Sequence, residues 1–115
     1  MGTHLLNVNT PAAVIDLNRL QRNTSRMAQK AHDLGVALRP HVKTHKCLQA
    51  AAYQVGDHFG GIAVSTLAEA DFFGQNGFKD ITFAVPIAPG RAPLAVRIAE
   101  RVRPLHLLVD HPLAV

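Results

Sequence analysis

Residues 37–46 read Ala-Leu-Arg-Pro-His-Val-Lys-Thr-His-Lys and form the densest cluster of ionisable side chains in the chain. The first six, Ala37–Val42, have the apolar content of a short strand, so the cluster lies across the point where that strand would end. Because side chains alternate along a strand, Arg39, His41 and Lys43 are expected to share one face. Lys43 would then stand nearest the carboxyl end.

Three further apolar runs follow this one at nearly even spacing, namely Ile62–Ser65, Ile81–Val85 and Leu105–Val109. Successive runs begin 25, 19 and 24 residues apart, and stretches of helical character separate them. This alternation is typical of parallel βα units. One more short strand is expected ahead of them, at Ala12–Ile15.

Each predicted helix has a recognisable start. Asp16 is expected to cap a helix that runs to about Leu34 and is stopped by Gly35, and Thr44 to cap one from His45 to about Val55. Thr66 is expected to cap a third helix that runs to about Asn76. The first turn of a fourth helix contains Pro93. The spacing of Thr66 and Glu69 is that of a capping box, which also accounts for Glu69.

The strand candidates predict an α/β fold in which residues 1–115 are the N-terminal portion of a (β/α)8 barrel domain of the TIM type. A closed barrel needs eight strands and typically about 250 residues, so we expect a truncated chain with about four parallel βα units. A small open α/β sheet fits the same periodicity and stays open as an alternative. In such barrels the working residues lie at the carboxyl ends of the strands, where Lys43 falls.

Composition narrows the classes of function. With 48% hydrophobic and 17% charged residues, the chain is typical of a globular protein. The net charge is +4, but the Lys and Arg residues are dispersed and only 5% of residues are aromatic, so no nucleic-acid partner is expected. No apolar run approaches the roughly 18 residues that cross a bilayer, so no membrane partner is expected. The single cysteine, Cys47, favours a reducing, cytoplasmic setting.

Lys43 is the predicted catalytic residue. A lysine facing a barrel interior is costly to bury, and the neighbouring Arg39, His41 and Lys46 would lower the pKa of its amine. Such an amine can form a Schiff base with an aldehyde, and pyridoxal phosphate is the common aldehyde cofactor. Lys46 is expected to be solvated or to face a phosphate. The alternative is a surface loop in which these lysines and histidines are simply solvated.

The seven histidines do not form a metal motif. His41 and His45 are four residues apart, but they lie on either side of a strand end and therefore lack helical i,i+4 geometry. The chain contains neither C-x-x-C nor H-E-x-x-H, and we expect no metal ligands within it.

Four segments resemble one known group of enzymes. Thr10–Leu17, Leu38–Lys46, Val64–Ala70 and Asp80–Pro89 are similar to the start, the lysine motif and the next two βα units of the D-threonine aldolase and D-serine dehydratase group. These are fold-type III pyridoxal-phosphate enzymes related to the alanine racemase N-terminal domain. The lysine motif is specific for the group but not for one reaction within it.

The resemblance implies a pyridoxal-phosphate-dependent lyase that acts on D-amino acids. By position, Lys43 matches the lysine that binds the cofactor as a Schiff base and exchanges a proton at the substrate's α-carbon. His41, on the same face, is expected to bind near the cofactor ring. Aldolase members cleave the Cα–Cβ bond of a D-3-hydroxy amino acid, whereas dehydratase members remove the α-proton and expel the β-hydroxyl.

The resemblance also implies features outside this segment. Full-length members are expected to form homodimers and to bind a divalent metal, whose ligands lie in a C-terminal β domain. The phosphate-binding loops come from later strands of the barrel. Two alternatives therefore accompany the lyase: a non-catalytic protein of the same superfamily that binds or carries pyridoxal phosphate, and an inactive fragment.

Overall fold

Helices and short parallel strands alternate along the chain. The computed structural model describes residues 4–56 and 60–114. The helices and strands are α1 (Leu17–Asp33), α2 (Leu48–Val55), β1 (Ile62–Val64), α3 (Leu67–Gln75), β2 (Ile81–Pro86), α4 (Ala92–Ala99) and β3 (Leu105–Leu108). Single 3-10 turns cover Leu5–Asn7, Pro89–Arg91 and Pro112–Ala114. No helix in the described ranges combines the length and the apolarity needed to cross a membrane.

The strands form one parallel sheet in the order β1-β2-β3. Ile62 pairs with Ile81, and Ile81 pairs with Leu105, so the strands are in register at their amino ends. The α3 helix connects β1 to β2, and α4 connects β2 to β3. The structure therefore confirms an α/β fold built from parallel βα units.

The first predicted strand, Ala37–Val42, is reduced to a single parallel bridge between His41 and Ala63. The Val42 N–H donates to the Ala63 carbonyl at 3.0 Å, and the Ala63 N–H donates to the Pro40 carbonyl at 2.8 Å. The next donor along a parallel ladder in this register would be the N–H of residue 40, which proline lacks. The segment lies beside β1 but does not extend the sheet by a full strand.

The predicted strand at Ala12–Ile15 is wrong. These residues form no strand, and their side chains are exposed. The sheet formed by the described residues provides no partner strand for them. A short continuous apolar run is not sufficient for a strand when its backbone groups have no neighbour to pair with.

The predicted start of α2 is also wrong. The helix begins at Leu48 rather than at His45, and Cys47 rather than Thr44 occupies the N-cap position. Lys46 has a φ of 46°, in the left-handed region, and this interrupts any helix that would start before it.

The other predicted helix ends are confirmed. The Arg19 N–H donates to Oδ1 of Asp16 at 3.0 Å, which caps α1, and Gly35 follows that helix with a φ of 64°. The Glu69 N–H donates to Oγ of Thr66 at 3.0 Å, which caps α3. Pro93 lies in the first turn of α4.

The core lies between one face of the sheet and the helices that connect the strands. Its most deeply buried large side chains are Val42, Ile62, Val64, Phe73, Ile81, Ile98 and Val102. The residues that alternate with them, Ala63, Thr82 and His106, share a row on the opposite face. His41, which pairs with Ala63, and His106 both lie in this row.

Candidate active site at the carboxyl end of the sheet

Lys43 lies just beyond the bridge at His41, at the end of the segment that runs beside β1. Its backbone N–H donates to Nδ1 of His41 at 3.2 Å. Its side chain is exposed and makes no hydrogen bond or ion pair with the part of the chain that the structure describes. The amine is therefore available to a ligand.

His41 uses both of its ring nitrogens. Because Nδ1 accepts the Lys43 N–H, the ring proton resides on Nε2, which donates to Oγ of Ser65 at 3.3 Å. Burial, and then the charge of Lys43, lower the pKa of the His41 imidazole, while the charge of Glu69 opposes them. The neutral ring is therefore the favoured form.

Glu69 connects this region to α3. Its Oε2 accepts the Ser65 N–H at 2.8 Å, and its Oε1 lies 3.2 Å from Nζ of Lys46. Only 9% of the Glu69 side chain is exposed. Burial raises the pKa of this carboxyl, but the Ser65 N–H and the Lys46 ammonium outweigh it and leave a net lowered pKa. Glu69 is therefore an ionised group as well as a capping residue.

Arg39 lies on the same face as His41, but its side chain binds Asp80 and not the residues around Lys43. Its guanidinium pairs with Asp80, immediately before β2, and the Nε2 atom of His106 lies 3.2 Å from Oδ1 of Asp80. These residues lie at the amino end of the sheet. Arg39 and Lys46, two of the cations predicted to flank Lys43, are thus both paired with carboxylates.

Four of the histidines that the structure describes accept hydrogen bonds from backbone N–H groups. In four cases Nδ1 accepts the N–H two residues further along: His4 from Leu6, His41 from Lys43, His45 from Cys47, and His111 from Leu113. These contacts stabilise turns in the way that Asx turns do. Across residues 4–56 and 60–114, no three His, Cys, Asp or Glu side chains are grouped closely enough to hold a metal ion.

A cleft of about 550 Å³ opens beside Ser65 at the carboxyl ends of β1 and β2. Its lining combines apolar residues such as Phe83 and Pro86 with the N-terminus of α3 at Thr66 and the cation Arg91. A larger groove of about 700 Å³ lies around Tyr53, between α1 and α2, and contains none of the Lys43 network. The cleft of about 550 Å³ shares Ser65 with this network, and a third cavity of about 330 Å³ beside α1 is lined in part by His41.

Residues 15–110 match the family described as alanine racemase, N-terminal domain. The chain belongs to this family. The solved structure of D-threo-3-hydroxyaspartate dehydratase from Delftia sp. HT23 superposes on it with a TM-score of 0.85, covering 92% of this chain and 28% of that one. This alanine racemase N-terminal domain is therefore confirmed as the corresponding part of a barrel fold.

Relatives of this alanine racemase N-terminal domain include D-amino acid lyases. It is 51% identical over 110 residues to D-threo-3-hydroxyaspartate dehydratase of Delftia sp., covering 96% of this chain and 29% of the relative. It is 36% identical to D-serine dehydratase of Dictyostelium discoideum, covering 91% and 28%, and 34% identical to D-threonine aldolase of Arthrobacter sp., covering 96% and 29%. The chain thus spans less than a third of the length of these relatives.

Sequence reasoning singled out Lys43 and His41 but missed Ser65 and the second role of Glu69. Ser65 is the residue that follows β1, so its place at a strand end is the signal that could have identified it. The ion pair between Glu69 and Lys46 joins residues 23 positions apart and depends on the turn at Lys46.

Proposed function

We propose that the protein is a pyridoxal-phosphate-dependent lyase for D-amino acids, in which Lys43 holds the cofactor through a Schiff base. The observation that carries this proposal is the difference between two lysines. Lys46 is paired with Glu69, whereas the Lys43 amine has no partner among the described residues and stands at the carboxyl end of the sheet. An aldehyde reacts with the lone pair of an amine, and an accessible amine that no carboxylate holds as an ammonium is best placed to supply it.

The surrounding residues suit such a cofactor. His41 would contact it through the face of its ring, because both ring nitrogens already have partners. When bound, pyridoxal phosphate withdraws electrons from the substrate's α-carbon. The amine of Lys43 would move the α-proton, and the cleft beside Ser65 provides space for a small substrate.

We favour elimination over aldol cleavage, because the dehydratase of Delftia sp. is 51% identical to this chain. The substrate would be a D-3-hydroxy amino acid that loses its α-proton and its β-hydroxyl as water. Hydrolysis of the remaining enamine gives a 2-oxo acid and ammonia. The second candidate is retro-aldol cleavage to glycine and an aldehyde, which the 34% identity to a D-threonine aldolase supports.

The resemblance supports three further proposals. The whole protein would act as a homodimer, reside in the cytoplasm, and use a divalent metal held by residues outside this segment.

Cofactor attachment is tested by absorbance and by trapping. The protein purified with pyridoxal phosphate should absorb near about 420 nm, and borohydride followed by peptide mass spectrometry should find the reduced cofactor on Lys43. Lys43→Ala should lose both signals. Lys46→Ala, the matched control, should keep both. A band that survives Lys43→Ala would refute the assignment.

The reaction is tested by product analysis with D-threo-3-hydroxyaspartate, D-serine and D-threonine. Release of ammonia with a 2-oxo acid identifies the dehydratase, and release of glycine identifies the aldolase. An intact band near about 420 nm without turnover of any of these substrates would instead favour the non-catalytic carrier protein.

A further inference from the structure

We propose that His41 is a positioning residue, whose neutral ring fixes the Lys43 backbone against the end of β1 and so directs the Lys43 amine. This inference rests on the proposed function of Lys43. It assigns a role to the two ring nitrogens of His41, whereas the proposed function uses only the face of the ring.

The first step is the contact within the loop. The Lys43 side chain has no anchor of its own among the described residues, so the fold controls the reach of its amine only through the position of the Lys43 backbone. That backbone is held by the bond from the Lys43 N–H to Nδ1 of His41. The loop closes behind Lys43 through a second bond, from the Lys46 N–H to the Val42 carbonyl at 2.9 Å.

The second step is the attachment of the loop to the rest of the fold. At one end, Nε2 of His41 donates to Oγ of Ser65, and at the other end the ammonium of Lys46 pairs with Glu69. Glu69 also binds the Ser65 N–H, so both attachments meet on the segment between β1 and α3. Lys43 therefore lies on a loop that is tied at both ends to one rigid element.

The third step concerns the protonation state. A doubly protonated ring has no acceptor at Nδ1, so it loses the bond to the Lys43 N–H. The charged groups near His41 are Lys43 on its own loop and Glu69 on α3, and Glu69 is already paired with Lys46. The partial burial of the ring and the adjacent charge of Lys43 lower the pKa of His41 and so favour the neutral form that the loop geometry requires.

The experiment compares His41→Leu with His41→Asn. Asparagine can accept the N–H two residues ahead, as histidine does here, whereas leucine cannot. The protein is stripped of cofactor, pyridoxal phosphate is added, and the growth of the band near about 420 nm is followed. Both variants lose the contact between the His41 ring and the cofactor, so the difference between them isolates the acceptor for the Lys43 N–H. We expect loading to be about five- to tenfold slower in His41→Leu than in His41→Asn, the worth of one net hydrogen bond.

The outcomes separate this inference from the proposed function. If Lys43→Ala abolishes the band but His41→Leu loads as fast as wild type, Lys43 keeps its role and the positioning role is refuted. Equal slowing in His41→Leu and His41→Asn would also refute it, because the shared acceptor would then not matter. Thermal unfolding of both variants shows whether a loss of fold accounts for slow loading.

A measurement on the wild-type protein completes the test without any variant. The nitrogen chemical shifts of His41 report which ring nitrogen carries the proton. We expect the Nε2–H tautomer, since only this form can accept the Lys43 N–H at Nδ1. An Nδ1–H tautomer at neutral pH would overturn the inference even if His41→Leu failed to fold.

Discussion

The guanidinium of Arg39 donates two hydrogen bonds to the carboxylate of Asp80, one of 2.7 Å from Nη1 to Oδ1 and one of 3.1 Å from Nη2 to Oδ2. Nη1 also lies 3.3 Å from the carbonyl oxygen of Ile62 in β1. The Arg39 side chain therefore connects the segment before Lys43 to β1 and to the start of β2. These side-chain bonds hold the segment beside the sheet, where Pro40 lacks the backbone donor of a regular ladder.

Replacing Arg39 should destabilise the fold. Both side chains of the pair are about three-quarters buried, so Arg39→Ala removes charge-assisted bonds and leaves Asp80 without its guanidinium. We expect a loss of about 2 kcal/mol in the free energy of unfolding, measured by urea denaturation. Arg39→Lys should recover only part of it, because an ammonium cannot make the bidentate pair.

The pair itself is isolated by a double-mutant cycle. Arg39→Ala combined with Asp80→Asn should cost less than the sum of the two single variants, with a coupling energy of about 1–2 kcal/mol. Strict additivity would show that the two side chains act independently and would contradict the interpretation of this contact.

Acidification should lower stability in two stages. Burial and Lys43 lower the pKa of folded His41 below its ordinary value of 6.5, so the unfolded chain takes up this proton first. The stability that neutral His41 contributes is present above pH 6.5 and is lost as the pH falls below it. Glu69 and Asp80 also have pKa values below their ordinary values of 4.5 and 3.8. The stability that their ionised forms contribute is therefore lost as the pH falls below those ordinary values.

These stages are separated by variants. The free energy of unfolding is measured from pH 8 to pH 3 for wild type, His41→Asn and Asp80→Asn. His41→Asn should flatten the slope just below pH 6.5, and Asp80→Asn should flatten it only below about pH 4. A wild-type protein that gains stability on acidification would contradict both pKa directions.

Local chemistry was readable from the sequence. Asp16 and Thr66 cap their helices as predicted, because a cap involves a side chain and a backbone N–H three residues apart. Lys43 lies just beyond the bridge at His41, close to the strand end that the apolar runs and their spacing predicted. Both inferences use patterns that can be read along the chain without knowing its tertiary contacts.

Features that depend on distant residues were not readable. The partner of Arg39 is 41 residues away, and no periodicity marks Asp80 as that partner. The first strand shortened to a bridge because of Pro40, and α2 started late because Lys46 adopts a left-handed conformation. Pro40 itself was visible in the sequence, but which backbone donor the ladder needs depends on the register with β1. The pairing of Arg39 with Asp80 is a tertiary contact that no local preference reveals.

The cap on α3 gives a prediction that links stability to the site. Thr66→Ala removes the acceptor for the Glu69 N–H and should cost about 1 kcal/mol in thermal or urea unfolding. Thr66→Ser keeps a hydroxyl in place and is the matched control, which should remain close to wild type. Equal losses in the two variants would show that the Thr66 methyl group, rather than the cap, is responsible.

Gly74 provides the last prediction, because α3 approaches the chain beyond α4 very closely there. A Cβ atom placed on Gly74 would lie 2.3 Å from Cγ2 of Val102, a side chain that is fully buried. Two effects compete in Gly74→Ala. Helix propensity favours alanine by about 1 kcal/mol, whereas forcing an extra carbon into a packed core costs roughly 1–3 kcal/mol.

Overpacking should win, because the Val102 side chain is fully buried and the added carbon would overlap it, so Gly74→Ala should be destabilised in urea unfolding. In a Val102→Ala background the clashing methyl group is absent, so the same Gly74→Ala change should become neutral or stabilising. Gly90→Ala is the control, since a Cβ there meets no atom within 4 Å. If Gly74→Ala were equally destabilising in both backgrounds, the close approach to Val102 would not be the reason for glycine at this position.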